Sequence, residues 1–478
     1  MYDTIIIGAG VIGANVAREL SKYRLKVAVL EKNRDVCEET SKANSGIVHG
    51  GYDALPGTKK ASYNIRGSRM MADLCRQLDV PYRQNGSLVL AFSEEEKTEL
   101  VALYHQGVKN GVGGMSILDR EAALTKEPAL NPAVFAALDV PSGAIVEPFQ
   151  LTIAASEIAY QNGVDFFFET QVATLEKTSE GFLVQTNKGL FNAKTVVNCA
   201  GVHSDDIHNQ LSSYKTKITP RKGEYCLFDK QLGNKVNATI FQLPTEKGKG
   251  VLVTPSVEGN LLIGPSSTFV SDKNDTTTTP EGIQYVLDKA KLSVNDLPTG
   301  MIITGFAGLR ATETKGDFIL GEVADVPGFF ACVGIESPGL TSAPAIAEDT
   351  ATWVAGRLHA IPRKDPVTTR KNIVRFALQP LETQKELYAN DHDYGKVICR
   401  CELITLAEIK AAIHRPLGAR TLDGIKRRTQ AGTGRCQGGF CSPRIMQILA
   451  EELHLNPLEI AKFSDKSTIL VGFDKEWL

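Results

Sequence analysis

The sequence predicts an α/β protein: a Rossmann-like α/β domain, an antiparallel-sheet α+β domain laid over it, and a small helical domain at the C-terminus. Three observations carry that prediction. Residues 3–7, a glycine turn, helix periodicity over 14–22 and a second apolar run at 26–30 make a complete strand–turn–helix–strand unit of about 30 residues. Stretches of alternating polarity at 86–92, 223–228 and 250–254 read as antiparallel strands. Four cysteines, Cys399, Cys401, Cys436 and Cys441, gather late in the chain among helix-like segments.

The first apolar run, rich in Ile, reads as a buried parallel strand. Residues 195–201 read as a further strand entering a glycine turn. So do residues 329–334, which are followed by a polar segment and a helix expected over 345–358. Residues 271–279 are polar and read as a surface loop. Residues 357–396 hold several prolines and mixed charges and read as a connector with a helical piece.

At 478 residues the chain is long enough for two or three domains. Hydrophobic content of 42% and charged content of 23% are ordinary for a soluble globular protein. A formal net charge of −2 gives no basic field, so nucleic acid is not an expected partner. No apolar run of about 18 residues is present, so no membrane-spanning helix is expected, although peripheral contact with a membrane through a partner is. The first strand begins almost at Met1 and leaves no room for a signal peptide. Of nine cysteines, Cys37, Cys75, Cys199, Cys226 and Cys332 lie in apolar surroundings and read as buried small hydrophobes. A reducing, cytoplasmic compartment and no disulfide framework are expected.

The glycine turn is Gly8-Ala-Gly10-Val-Ile-Gly13. In a Rossmann-like unit Gly8 makes the tight turn, Gly10 lets the backbone approach a pyrophosphate, and Gly13 lets the helix pack on the sheet. The helix N-terminus then offers free N–H groups to the phosphates. Glu31, ending the second strand, is placed to accept hydrogen bonds from a ribose diol. Only one such unit is visible, whereas an NAD-reducing flavoenzyme would show two. The turn at Ala200-Gly201 and the segment Gly334-Ile-Glu-Ser337-Pro-Gly339-Leu340-Thr341 are further close approaches of backbone to something flat and polar. Here the chain resembles the glycine-oxidase/D-amino-acid-oxidase superfamily of flavoproteins, in which the late segment wraps the flavin. The resemblance implies FAD.

The segment Asn44-Ser45-Gly46-Ile-Val-His49-Gly-Gly is polar and glycine-rich and follows the nucleotide unit directly, so it could lie against a cofactor. It resembles the flavin-contact segment of FAD-dependent glycerol-3-phosphate oxidases and dehydrogenases, and similar segments occur in L-2-hydroxyglutarate oxidases. In both, the histidine matching His49 is the base beside the flavin. Arg221-Lys-Gly-Glu-Tyr225, Lys247-Gly-Lys249-Gly-Val-Leu-Val and Gly305-Phe-Ala-Gly308-Leu-Arg310 match the glycerol-3-phosphate branch. The likeness implies that Lys249 and Arg310 bind the substrate anion. It also implies that Asn44, Ser45, Gly46, Val172, Ala200, Gly201, Gly334, Ser337, Gly339, Leu340 and Thr341 line the cofactor. An imidazole that titrates near neutrality suits removal of a hydroxyl proton, and cationic side chains suit a phosphate or carboxylate tail.

Two close cysteine pairs suit a small iron–sulfur cluster or a zinc ion. Extended residues two apart point the same way, so Cys399 and Cys401 are expected to reach one centre together. Thr405-Leu-Ala-Glu408 reads as a capping box. Ser442-Pro443 reads as the N-cap and first residue of another helix, which brings a positive helix end to Cys441. Lys426, Arg427, Arg428 and Arg435 are expected to add positive charge near an anionic centre. The quartet resembles the bacterioferritin-associated-ferredoxin-like [2Fe–2S] domain, in the version fused to anaerobic glycerol-3-phosphate dehydrogenase large subunits. It departs in having four residues between its last two cysteines, where the bare ferredoxin has fewer.

The expected architecture is therefore an α/β Rossmann-like FAD-binding domain (1–80, 145–215 and 300–358), an antiparallel-sheet α+β substrate-binding domain (81–144 and 216–299), a connector (359–396) and a small helical iron–sulfur domain (397–478). The expected function is FAD-dependent oxidation of sn-glycerol 3-phosphate to dihydroxyacetone phosphate, with electrons leaving through a [2Fe–2S] centre to a redox partner subunit. An oligomer is expected. A 2-hydroxy acid or amino acid as substrate is one alternative, and a non-catalytic electron-transfer subunit is another.

Overall fold

A computed structural model of the chain describes residues 1–244 and 250–472. Lys247 and Lys249, singled out above, lie outside the described residues.

The first sheet is built around Tyr2–Ile7. This strand runs parallel to Val27–Leu30 on one side and to Gly189–Asn198 on the other. Phe329–Val333 continues the parallel set beyond Gly189–Asn198. Ile5, Ile6, Val29 and Val197 are wholly buried because both faces of the sheet are covered. On one face, Val11–Leu20 packs against Pro148–Gln161 and Gly339–Leu358. The last of these begins at Gly339, six residues before the start expected from the sequence, and carries Pro344 inside its first turns. That proline hides the early start: as the sixth helical residue it forgoes the bond to the Leu340 carbonyl, a cost that a sequence reading takes as a helix boundary.

The second sheet is nine-stranded and largely antiparallel. Its spine is the pair Ile218–Phe228 and Ile302–Glu313, in register from Ile218 opposite Glu313 to Tyr225 opposite Phe306. Residues 300–313 were assigned to the first domain from the sequence; by pairing they belong to this sheet. The strand reads as apolar and glycine-rich, which suits either sheet, and only the partner strand decides. Gly308 faces the loop carrying Ala43, and a β-carbon there would lie 2.0 Å from the Ala43 carbonyl oxygen. The second sheet therefore presses directly on the segment that precedes His49. A small third sheet joins Ile47–Val48 to Ala144–Val146 and Tyr82–Arg83.

The connector crosses the first domain. Arg370 donates to the Leu78 carbonyl and to Glu157, and Arg415 donates to the same Glu157 carboxylate. The C-terminal domain has its own core around Ile398, Ile404, Ile409, Ile425 and Leu449. Its helices are Leu406–His414, Leu422–Thr429 and Ser442–Leu453. The first starts in the expected capping box, Thr405 accepting from the Glu408 N–H and Glu408 accepting in return. The third is capped by Cys441 rather than Ser442, so the thiol sits at the helix end itself. A two-stranded ladder, Val397–Cys399 with Ile404–Thr405, precedes the helices.

Arg427 and Arg428 do not face the cysteines. Both are buried in the contact with the first domain, where Arg427 bonds Asp35 and Glu38 and Arg428 takes both oxygens of Asp35. Gln150 caps the same helix by donating to the carbonyls of Arg427 and Arg428. Of the four cations expected near the quartet, Arg427 and Arg428 are thus spent on docking one domain to another, and Arg435, next to Cys436, pairs with Asp229.

Candidate functional site

An elongated cavity of about 440 Å³ lies between the two sheets. It runs from Gly10 and Val11, at the start of the first helix, to Arg221, Tyr225 and Arg310 in the second sheet. Of the residues singled out from the sequence, Gly10, Asn44, Ser45, His49, Gly201, Arg310, Ser337, Gly339 and Leu340 line it. Gly8, Gly13, Glu31, Val172, Ala200, Gly334 and Thr341 do not, and Gly46 lines a second cavity beside it.

Several of these support the wall from behind. Gly8 has φ +99°, and a β-carbon on Gly13 would stand 2.0 Å from the Gly8 carbonyl oxygen, so helix and turn close tightly. The helix begins at Gly10 with no side-chain cap, and the Val11 N–H donates to Ser41 Oγ at 2.8 Å. Glu31 is buried and accepts from the N–H groups of Ala9 and Asn33 at 2.7 and 2.9 Å. Burial raises its pKa despite those two donors. Asn44 braces its own loop, donating to the carbonyls of Thr40 and Ser41 and accepting from Gly46. Thr341 accepts from the His49 N–H at 2.9 Å and donates to the Ile47 carbonyl, which joins the helix start at Gly339 to the histidine segment.

His49 Nε2 lies 3.3 Å from Ser337 Oγ, with Phe241 flanking the ring at 5.9 Å. Arg310 reaches the cavity from the second sheet. Its guanidinium donates to three backbone carbonyls, those of Arg221, Lys222 and Ser266, and to no carboxylate among the described residues. Burial lowers its pKa, and the like charge of Arg221 adds to this. Arg221 pairs with Glu336 at 2.7 Å, yet its Nε is buried with no partner. Glu336 is shared with Lys60 at 2.8 Å and accepts from Thr312. Burial would raise the Glu336 pKa, but Lys60 and Arg221 outweigh it and hold the carboxyl below its usual value. Lys60, Arg221 and Arg310 against Glu336 and Asp53 leave the cavity's lining with an excess of positive charge.

Arg221, Lys60, Glu336 and Ser41 had no role in the sequence reading. Arg221 stands in the segment Arg221-Lys-Gly-Glu-Tyr225, and Ser41 lies three residues before Asn44. Lys60 comes from a distant helix start with no local mark, and Glu336 from the segment before Gly339, where its charge has no partner in sequence.

The cysteine quartet closes into two spatial pairs that cross the sequence pairs. Cys401 and Cys436 lie Sγ to Sγ at 3.6 Å, and Cys399 bonds Cys441. The strand ends at Cys399 and a turn follows, so Cys399 and Cys401 do not point the same way. Cys399 and Cys441 are buried, Cys436 is half-buried and Cys401 is exposed. The Cys399 thiol is lowered to about 6, chiefly by the hydrogen bond from Cys441 and against burial, and Cys441 is raised in return. No three His, Cys, Asp or Glu side chains among the described residues converge on one metal position. Two separate thiol pairs suit two irons with two thiolates each better than one tetrahedral zinc. The donor set therefore fits the cluster. At the other cavity, an uncapped helix start at a glycine turn and an orphaned arginine nitrogen fit a dinucleotide and an anion.

This arrangement defines a nucleotide-dependent oxidoreductase with an appended thiolate centre. The family of FAD dependent oxidoreductases matches residues 3–353, and the chain belongs to it. Residues 397–451 match the BFD-like [2Fe-2S] binding domain. The chain is 48% identical to the glycerol 3-phosphate dehydrogenase of Caloramator mitchellensis, over 99% of this chain and 98% of that one. It is 37% identical to the glycerol 3-phosphate oxidase of Mycoplasma genitalium, over 72% of this chain and 92% of the relative. Its fold is similar to that of the FAD-bound L-α-glycerophosphate oxidase of Mycoplasma pneumoniae, with a TM-score of 0.74 and 31% identity, covering 77% of this chain and 98% of that one. Among the described residues no helix is long and apolar enough to cross a membrane.

Proposed function

We propose that the protein is an FAD-dependent dehydrogenase that oxidises sn-glycerol 3-phosphate to dihydroxyacetone phosphate and passes the electrons out through its [2Fe–2S] domain. The observation that carries this reading is the pairing of one imidazole, His49, with Arg310 and Arg221 in a single cavity whose positive end has too few carboxylates to neutralise it. A phosphate dianion supplies the missing charge. Lys249, outside the described residues, is assigned to the same anion by its place in the sequence.

FAD, when bound, supplies the acceptor for the hydride that leaves the secondary carbon. Gly8, Gly10 and Gly13 would shape the turn for its pyrophosphate, Glu31 would hold that turn through the Ala9 N–H, and Ser337, Gly339 and Leu340 would border the ring system. His49 Nε2 takes the hydroxyl proton as the hydride leaves, and Ser337 Oγ, in hydrogen-bond reach of that nitrogen, orients it. Arg310, fixed by three carbonyls, keeps its remaining donors for the phosphate and sets the distance between tail and carbinol. In the thiolate centre, the pair Cys399 with Cys441 and the pair Cys401 with Cys436 would supply the four thiolates for the cluster.

An anaerobic visible spectrum of the purified protein tests the reading. Addition of glycerol 3-phosphate should bleach the flavin bands over an iron–sulfur background. Flavin that stays oxidised with glycerol 3-phosphate but bleaches with a 2-hydroxy acid or an amino acid would refute the substrate.

A further inference from the structure

The quartet sits at the surface with its Cys401 and Cys436 edge outward. The residues threaded between and beside these cysteines are turned to solvent in an unusual way. Phe440, adjacent to Cys441, is 84% exposed, and Leu403, two residues past Cys401, is 53% exposed. Neither side chain contributes to a core. Arg400, between the first two cysteines, and Arg444, in the first turn of the helix capped by Cys441, are also exposed. Neither has an ion pair among the described residues. Two acids of this region are already engaged: Glu402 is buried against Lys230, and Asp229 takes Arg435. The face over the outer thiol pair is thus an apolar centre with a basic rim.

An aromatic ring held in water at the tip of a glycine-containing loop gains nothing from the fold that carries it, and exposed apolar groups rimmed by charge mark contact surfaces. A second copy of this chain would bring the same arginines against themselves, which the charge disfavours. We propose that this face docks a small one-electron carrier protein whose own redox centre lies under an acid-rimmed surface. The inference rests on the reading of the quartet as the electron exit. Each alcohol oxidised releases two electrons and two protons, so two carriers are each reduced by one electron in successive dockings, and the protons pass to solvent. Steering by opposite charge raises the encounter rate that such brief contacts need.

Rubredoxin, a small acidic one-electron carrier, serves as the probe. Its redox-inert zinc form, ¹⁵N-labelled, is titrated with the holoenzyme and followed by chemical-shift change, which reads binding without turnover. Binding should weaken as salt rises, and should fall at least tenfold in Phe440→Ser and in the double variant Arg400→Glu with Arg444→Glu. The iron form should be reduced by substrate-loaded wild type and far more slowly by the variants, while substrate-driven flavin bleaching keeps its rate. Absence of binding, binding unchanged in the variants, or equal binding of basic cytochrome c would overturn the proposal. So would a loss, in the same variants, of dimerisation or of adsorption to anionic vesicles in place of carrier binding. If glycerol 3-phosphate fails to bleach the flavin while rubredoxin still binds through Phe440, the substrate reading falls and the docking face stands.

Discussion

His49 and Arg310 do separable work, and their variants should fail separately. His49 is held on both sides, its N–H by Thr341 and its Nε2 by Ser337. His49→Gln keeps a similar shape and removes the base. Flavin bleaching by substrate should slow by roughly 10²–10⁴-fold with little change in the substrate concentration that half-saturates it, as anaerobic stopped-flow spectroscopy would show. Equal rates would end the assignment. Arg310→Met removes a cation whose position three carbonyls define, so the loss falls on binding. Half-saturation by glycerol 3-phosphate should rise about 10–100-fold, the equivalent of roughly 1.5–3 kcal/mol for a charged hydrogen bond. Arg310→Lys should recover little, because a point charge cannot reproduce the fork. The contrast between these residues also shows what a sequence displays. His49 stood in a glycine-rich polar run directly after the nucleotide unit, and Arg310 among apolar neighbours where an idle charge is costly. Nothing in the sequence links Lys60 with Glu336. They meet only because the helix Lys59–Leu78 and the turn before Gly339 converge on the strand bearing Arg221.

At the scale of elements, local chemistry was legible wherever one short segment sets the geometry. The glycine turn, the Thr405–Glu408 box and the parallel strands follow from residues a few positions apart. The pairing of Ile302–Glu313 with Ile218–Phe228 and the crossed pairing of the cysteines depend on distant partners, which no local pattern displays. One helix start carries a consequence for pH. Glu147 caps Pro148–Gln161 by accepting from the Phe149 N–H, and it is buried. Burial, with the nearby charge of Glu258, raises its pKa to about 8. A carboxyl whose folded pKa lies above its unfolded value of 4.5 favours the native state only while protonated. Its contribution is complete below about pH 4.5 and is lost as pH rises toward 8. Glu147→Gln keeps an oxygen for the cap and removes the titration. Its melting temperature should match wild type near pH 5 and exceed it near pH 8, by several degrees in differential scanning calorimetry. A variant that melts lower than wild type at both values would show that the ionised carboxylate is the form the helix needs.

Across the whole molecule, two buried charge networks decide whether three domains behave as one. Arg427 and Arg428 meet Asp35 and Glu38 at the segment leading into Asn44, and Arg370 and Arg415 share Glu157 on the helix that packs against the nucleotide-binding helix. The side chains of Arg427, Arg428, Asp35 and Glu157 are each at most 6% exposed. Removing one partner therefore leaves an uncompensated buried charge, at a cost of roughly 3–5 kcal/mol. Burial would raise the carboxyl pKa values, but the arginines prevail, and those of Asp35 and Glu157 are lowered. Acids with depressed folded pKa values stabilise the docked state above their unfolded values, near 4, and lose that contribution as pH falls through the folded values. The C-terminal domain owns a separate core, so it has the means to stay folded when the contact fails. Calorimetry of wild type at neutral pH should then give one transition. Arg427→Ala should split it into two, and wild type should split in the same way as pH falls below about 4. The split should leave substrate-driven flavin bleaching intact, because no residue of that network lines the cavity holding His49 and Arg310. Reduction of the iron–sulfur bands that follows the bleaching should slow, since the docked contact is what holds the thiolate domain against the segment next to the flavin. A single transition in Arg427→Ala, with bleaching and iron–sulfur reduction both at wild-type rates, would mean that apolar packing alone holds the domains in register.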